Sequence, residues 1–219
     1  MKVKSATTSR ASSRGLQGFT LIEMIGVLAV IAILAAVLVP KVFEAINNAR
    51  INNSSMSCDT VKTAIADHYA KAGSLNADDT TGTPVVISLA TPFDGFDKVL
   101  MKEQFLDKPF AVKIGDGIAT NNTVRLKDIT GYALAATVDG TDTTGFALSG
   151  GTTNTAVGSV VVEAVIGNVT AADAQALSTR IDGVTMTETA LTTPDTQGRV
   201  KYATPVGGVT TVYVYLTHR

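Results

Sequence analysis

The stretch Gly18-Phe19-Thr20-Leu21-Ile22-Glu23-Met24-Ile25 opens the run that decides the architecture. From Phe19 to Val39 all 21 residues are apolar, Gly or Thr, except Glu23. As a helix at ~1.5 Å per residue the run is ~31 Å long, the thickness of a bilayer's hydrocarbon core. The apolar core of a secretory signal is shorter, roughly 7–15 residues. Glu23 does not suit a plain anchor. A carboxylate in an apolar span costs up to ~2.5–3.5 kcal/mol on insertion scales. Such a residue makes sense where the helix must later meet a charged partner.

On the N-terminal side, residues 1–18 carry Lys2, Lys4, Arg10 and Arg14 and no acid. A basic flank before an apolar span keeps that end cytoplasmic and sends the rest outward. On the C-terminal side, Pro40 lacks an N–H and its ring crowds the preceding turn, so a kink or a melted stretch is expected there. Residues 40–72 continue as an amphipathic helix. Val42, Ile46, Ala49 and Met56 share a face, and Val61, Ile65, His68 or Tyr69, and Ala72 recur at helical spacing. Gly73 stops it. The whole helix, residues 19–72, is ~80 Å long at the same rise. Its first half is expected to protrude and its second half to be the spine of a globular head.

The head, residues 73–219, reads as short strands and short helices. Strands are expected at Val85–Leu89, Phe110–Ile114, Val124–Leu126, Tyr132–Val138, Ser159–Ile166, Arg199–Ala203 and Val209–Leu216. A short helix fits within Phe93 to Leu106, with Asp94 as its N-cap. Another fits residues 171–181, introduced by Thr170, with Ala174, Leu177 and Ile181 as its apolar face. Asp139–Gly145 is a turn, and Pro205-Val206-Gly207-Gly208 joins the last two strands as a hairpin. The fold class is α+β: a long N-terminal spine helix packed on a C-terminal antiparallel sheet with short helices.

Composition excludes several functions. Four of the 18 Lys and Arg lie in the basic leader, so the chain after Gly18 has 14 basic against 19 acidic residues, a net charge of −5. Nothing in that balance supports nucleic-acid binding. The single cysteine, Cys58, excludes an intrachain disulfide and reads as small apolar filler on a packing face. There are two histidines, His68 and His218, and no nucleophile elbow, P-loop or His-Glu-x-x-His, so an enzyme is not expected. Asp139 with Asp142, and Asp182 with Asp195, are acidic loop residues that could hold calcium, and no other cofactor is expected. Asp and Gly also mark turns for backbone reasons alone, and that reading is favoured.

The Gly18-Phe19 junction, Glu23 five residues past it and the apolar run together resemble the processing site of type IV prepilins and type II secretion pseudopilins. The resemblance covers about residues 15 to 55. It implies cleavage after Gly18 by a prepilin peptidase and N-methylation of Phe19. It places Glu23 where the family carries its assembly glutamate, and Pro40 where many members bend the helix. The segments are then a leader (1–18), a transmembrane polymerisation helix (19–39), its amphipathic continuation (40–72) and the head (73–219). The implied function is a structural subunit of a type IV pilus or similar filament, with a pseudopilin or minor pilin as the alternative. Implied partners are further copies of the chain, the peptidase, an inner-membrane assembly platform and the membrane. The implied location is the inner membrane first, then an extracellular filament or a periplasmic pseudopilus. Many Gram-negative pilins close a C-terminal loop with a cysteine pair, and this chain departs from that. A membrane-anchored binding module is the reading from another class, although no aromatic cluster typical of a ligand pocket is present.

Overall fold

A computed structural model describes residues 18–75, 77–78, 84–85, 93–115, 122–129, 145–150, 155 and 158–219. The chain divides into two units, Met1–Ala45 and Ile46–Arg219. Helix α1 spans Leu21–Ala72 and continues through Pro40 without a break. Within the first unit every described side chain is exposed. It is the membrane-length apolar segment, and Leu28, Ile33, Leu34 and Val37 each keep more than half of their surface open. Gly73 ends α1 as expected, with φ +71° and its N–H on the Tyr69 carbonyl. Only glycine adopts that backbone cheaply.

In the second unit the elements follow in the order β1 (Ala77–Asp78), β2 (Pro84–Val85), β3 (Phe93–Asp94), α2 (Phe96–Lys102), β4 (Asn122–Asp128), β5 (Val160–Thr170), α3 (Ala171–Asp182), β6 (Val200–Tyr202) and β7 (Val209–His218). β1 and β2 form a small antiparallel pair. The other five strands form one antiparallel sheet in the order β3-β4-β5-β7-β6. This is the α+β arrangement the sequence implies, with the later half of α1 against one sheet face. Its buried residues there are Ile51, Ser54, Cys58, Val61, Ala64, Ile65 and His68. Of these, Ile51, Cys58, Val61, Ala64 and Ile65 join Val162, Ala164 and Ile166 of β5, Val124 and Leu126 of β4, and Ala174 and Leu177 of α3 in one apolar core. Ile46, Met56 and Ala72 of the expected stripe stay exposed.

Several elements match their local signals. Thr170 caps α3, its Oγ1 accepting the Asp173 N–H at 3.1 Å. The 205–208 hairpin closes through mutual Val206 and Val209 backbone bonds, with both glycines at positive φ. Others need correction. Asp94 is not a helix cap: it pairs with Arg125 in β3, and α2 starts from Gly95 at φ +94° with no side-chain cap. Phe110–Ile114 is not a strand. Phe110, Val112 and Ile114 are buried and alternate with exposed Ala111 and Lys113, so the period is right. However, its backbone is held by side chains. The Phe110 N–H goes to the Asp97 carboxylate, and the Lys113 carbonyl accepts the Arg50 Nε–H. The expected strand at Tyr132–Val138, most of that at Val85–Leu89, and nearly all of the 139–145 turn lie outside the described residues.

Candidate functional site

At the N-terminal end of α1, Phe19 is 81% exposed and Glu23 is also exposed. Thr20 and Glu23 hold each other across the first turn. The Thr20 N–H and hydroxyl both donate to Glu23 Oε2, at 2.8 and 2.7 Å, and the Glu23 N–H donates back to Thr20 Oγ1 at 3.3 Å. This reciprocal capping box satisfies backbone donors that a helix start leaves open. The Thr20-x-x-Glu23 spacing is the sequence signal for this box. Glu23 therefore closes its own helix while remaining open to a second partner. Pro40 lies within α1.

Asp182 and Asp195, named above as acids that could hold calcium, both accept backbone N–H groups. Asp182 accepts the N–H groups of Arg199 at 2.9 Å and Val200 at 2.8 Å, and lies 3.5 Å from Arg199 Nε. Asp195 Oδ2 accepts Ser178 Oγ at 2.9 Å and the Glu188 N–H at 3.3 Å, while Oδ1 takes the Gln197 N–H. Burial pushes the Asp195 carboxyl up, against the pull of these donors. Among the described residues no group of three or more His, Cys, Asp or Glu is placed to hold a metal. Asp139 and Asp142 lie outside the described residues.

Asp182 needs Gly198. A Cβ on Gly198 would fall 2.5 Å from Asp182 Oδ2, and its φ is +78°. Gly198→Ala is expected to lower stability by about 1–3 kcal/mol, through strain and the displaced carboxylate. Thermal melting of the detergent-solubilised chain tests this, and an unchanged midpoint would refute it.

Cys58 is buried and its thiol is pushed up to about 12, chiefly by burial, so it packs rather than reacts. His68 is 1% exposed, lies 2.5 Å from Glu103 Oε2 through Nδ1, and meets the edges of Phe96 and Phe105. It fastens the α2 turn to α1, as the helix-face reading of this residue allows.

No local sequence pattern singles out Glu163. It lies on β5 between Val162 and Ala164, which face α1, so it points to the opposite sheet face. There it is 0% exposed, among Arg125, Lys127 and Lys201, each at most 5% exposed. Arg125 Nη2 and Nε both reach Oε1, the latter at 2.8 Å, and Lys127 Nζ lies 3.2 Å from Oε2. The cations also lie over rings: Lys201 over Phe146 at 4.8 Å and Arg125 over Tyr213 at 5.2 Å. The cross-strand partner of Glu163 is Arg125, a pairing that only the register sets.

The fold and this helix end define an α+β protein whose first helix is long and apolar enough to cross a membrane and presents a capped acid within that apolar span. The model for the prokaryotic N-terminal methylation motif matches residues 14–39, so the chain carries the signature of type IV pilins and pseudopilins. That signature marks substrates of prepilin peptidase in a structural class of proteins. The matched segment includes Gly18, Phe19 and Glu23. No solved structure matches the chain.

Proposed function

We propose that this chain is the structural subunit of a type IV pilus, cut between Gly18 and Phe19 and polymerised through α1. The observation that carries this is Glu23, an acid kept inside a membrane-length apolar helix within the methylation motif. Before assembly the capping box supplies its hydrogen bonds. In the filament its charge pairs with the methylated amine of Phe19 on the next copy. Each group neutralises the other in a low-dielectric surround and together they fix the register.

Mass spectrometry of protein sheared from cells tests the cut. The expected product begins at Phe19 and carries one N-terminal methyl group. A product beginning at Met1, or at any residue other than Phe19, overturns the reading. Recovery of the mature chain as the dominant sheared protein separates a major pilin from a minor pilin or a pseudopilin.

A further inference from the structure

The hairpin between β6 and β7 lies at the same end of the second unit as the point where α1 enters it. Asn48 of α1 and Ala172 of α3 line one cleft. The Ala171 N–H donates to the Gly208 carbonyl at 3.1 Å, and Val209 pairs with Thr170. The turn at Gly115 closes on this end too: a Cβ there would fall 2.6 Å from the Gly167 carbonyl oxygen. Lys113 precedes that turn, and its carbonyl accepts the Arg50 Nε–H at 2.8 Å. The chain is uncharged from Ala203 to Thr211. Val206 at the hairpin tip is 78% exposed, and Val209 beside it and Ile46 of α1 are exposed as well. Lys113 is exposed and Arg50 half-buried, and neither forms a salt bridge among the described residues. Of the acids near these residues in sequence, Asp173 is buried, Glu44 lies 3.7 Å from Lys41, and Asp116 lies outside the described residues. Exposed apolar groups carried beside cations suit an anionic bilayer surface, where the apolar groups enter the interface and Lys or Arg meets phosphate.

We infer that, while α1 spans a membrane, this end of the head rests on the lipid surface, with the Val206 tip in the headgroup layer and Arg50 and Lys113 on lipid phosphates. The inference goes beyond the filament reading and needs only the insertion of α1. Two observations favour lipid as the occupant. The first is the tether. The apolar run ends at Val39 and the second unit opens at Ile46, seven residues on (46 − 39). Seven residues span at most ~25 Å even when fully extended, so this end stays near the bilayer whatever the chain does at Pro40. Ala72, by contrast, lies 26 residues further along α1 (72 − 46), ~39 Å at ~1.5 Å per residue. The second is charge. Two cations without an ion pair flank an uncharged tip, and anionic headgroups supply the opposite sign over the whole surface. The contact belongs to the stored subunit, and it must break when the chain leaves the membrane.

The chain has no Trp, so a single introduced Trp reports its own surroundings. The full chain is reconstituted in phosphatidylglycerol vesicles that carry a nitroxide on the lipid headgroup, and quenching is compared for Val206→Trp and Ala72→Trp. Quenching at Val206→Trp should exceed that at Ala72→Trp at least ~3-fold. Replacing phosphatidylglycerol by phosphatidylcholine should lower it by roughly 2-fold or more, and so should Arg50→Gln with Lys113→Gln. Lys113→Gln alone leaves the Arg50 bond to the backbone in place and should move quenching in the same direction. Equal quenching at the two Trp positions overturns the inference, as does quenching at Val206→Trp that ignores lipid charge. A second copy seated on the tip would shift the Trp emission to the blue without nitroxide quenching, and that result overturns it too. Leu28→Trp, read with the nitroxide on the lipid acyl chain, checks insertion separately. No quenching there refutes a membrane-spanning α1, and with it the stored stage of the filament reading.

Discussion

A Glu23→Ala chain is expected to be cut before Phe19 and stored in the membrane at normal levels, yet to appear in sheared filaments at under ~1% of the wild-type amount. The magnitude follows from breaking a buried ion pair on one side. Removing one partner strands the other charge, at a cost of about 3–5 kcal/mol. Each ~1.4 kcal/mol is a factor of ten in a docking equilibrium, so two to three orders of magnitude are at stake. Alanine also removes the capping box, and that loss must be separated. Thr20→Ala removes the hydroxyl that bonds Glu23 and costs about 1 kcal/mol at the helix start. It keeps the charge, so it should reduce filament yield far less than Glu23→Ala. Equal yields from the two variants would mean that the cap, not the pairing, is what Glu23 supplies. Wild-type yield from Glu23→Ala would end the pairing proposal.

The second large effect concerns the head. Glu163→Gln should lower its stability by about 3–5 kcal/mol, because three buried cations lose the one carboxylate placed among them. A domain of this size typically has only 5–15 kcal/mol to lose, so the midpoint of thermal unfolding should drop by about 10 °C. Gln has nearly the same shape, so the loss would be one of charge rather than volume. Burial alone pushes the Glu163 carboxyl up. Lys127, Arg125 and Lys201, with the Arg125 hydrogen bond, outweigh it and bring the group below the ordinary glutamate value of 4.5. A carboxyl depressed by folding contributes stability that is fully present above its unfolded value and is lost as pH falls through its folded value. The wild-type melting midpoint should therefore fall steeply below about pH 4.5, and that of Glu163→Gln should change much less over the same range. Parallel curves for the two chains would show that this cluster does not set the acid limit.

Most of the layout was legible because it rests on near neighbours. The apolar run with its single acid fixed a membrane-length helix. Gly73, with the αL backbone that glycine adopts cheaply, fixed its end. Thr170 marked the start of α3, and Gly207-Gly208 the last hairpin, by the hydrogen bonds and dihedrals those residue types favour. The short stretch around residue 110 was legible only halfway. Its alternating burial was written in Phe110, Val112 and Ile114. Whether that alternation becomes a strand depends on what satisfies its backbone, and Asp97 and Arg50 do so from other elements.

The sequence by itself determined the anchor, the processing motif and the α+β class, since each follows from composition and spacing within a few turns of chain. Only the tertiary structure decided that Glu163 would be sealed among Arg125, Lys127 and Lys201. Charges far apart in sequence become partners or neighbours through strand register and helix packing, and no local pattern along the chain encodes those distances.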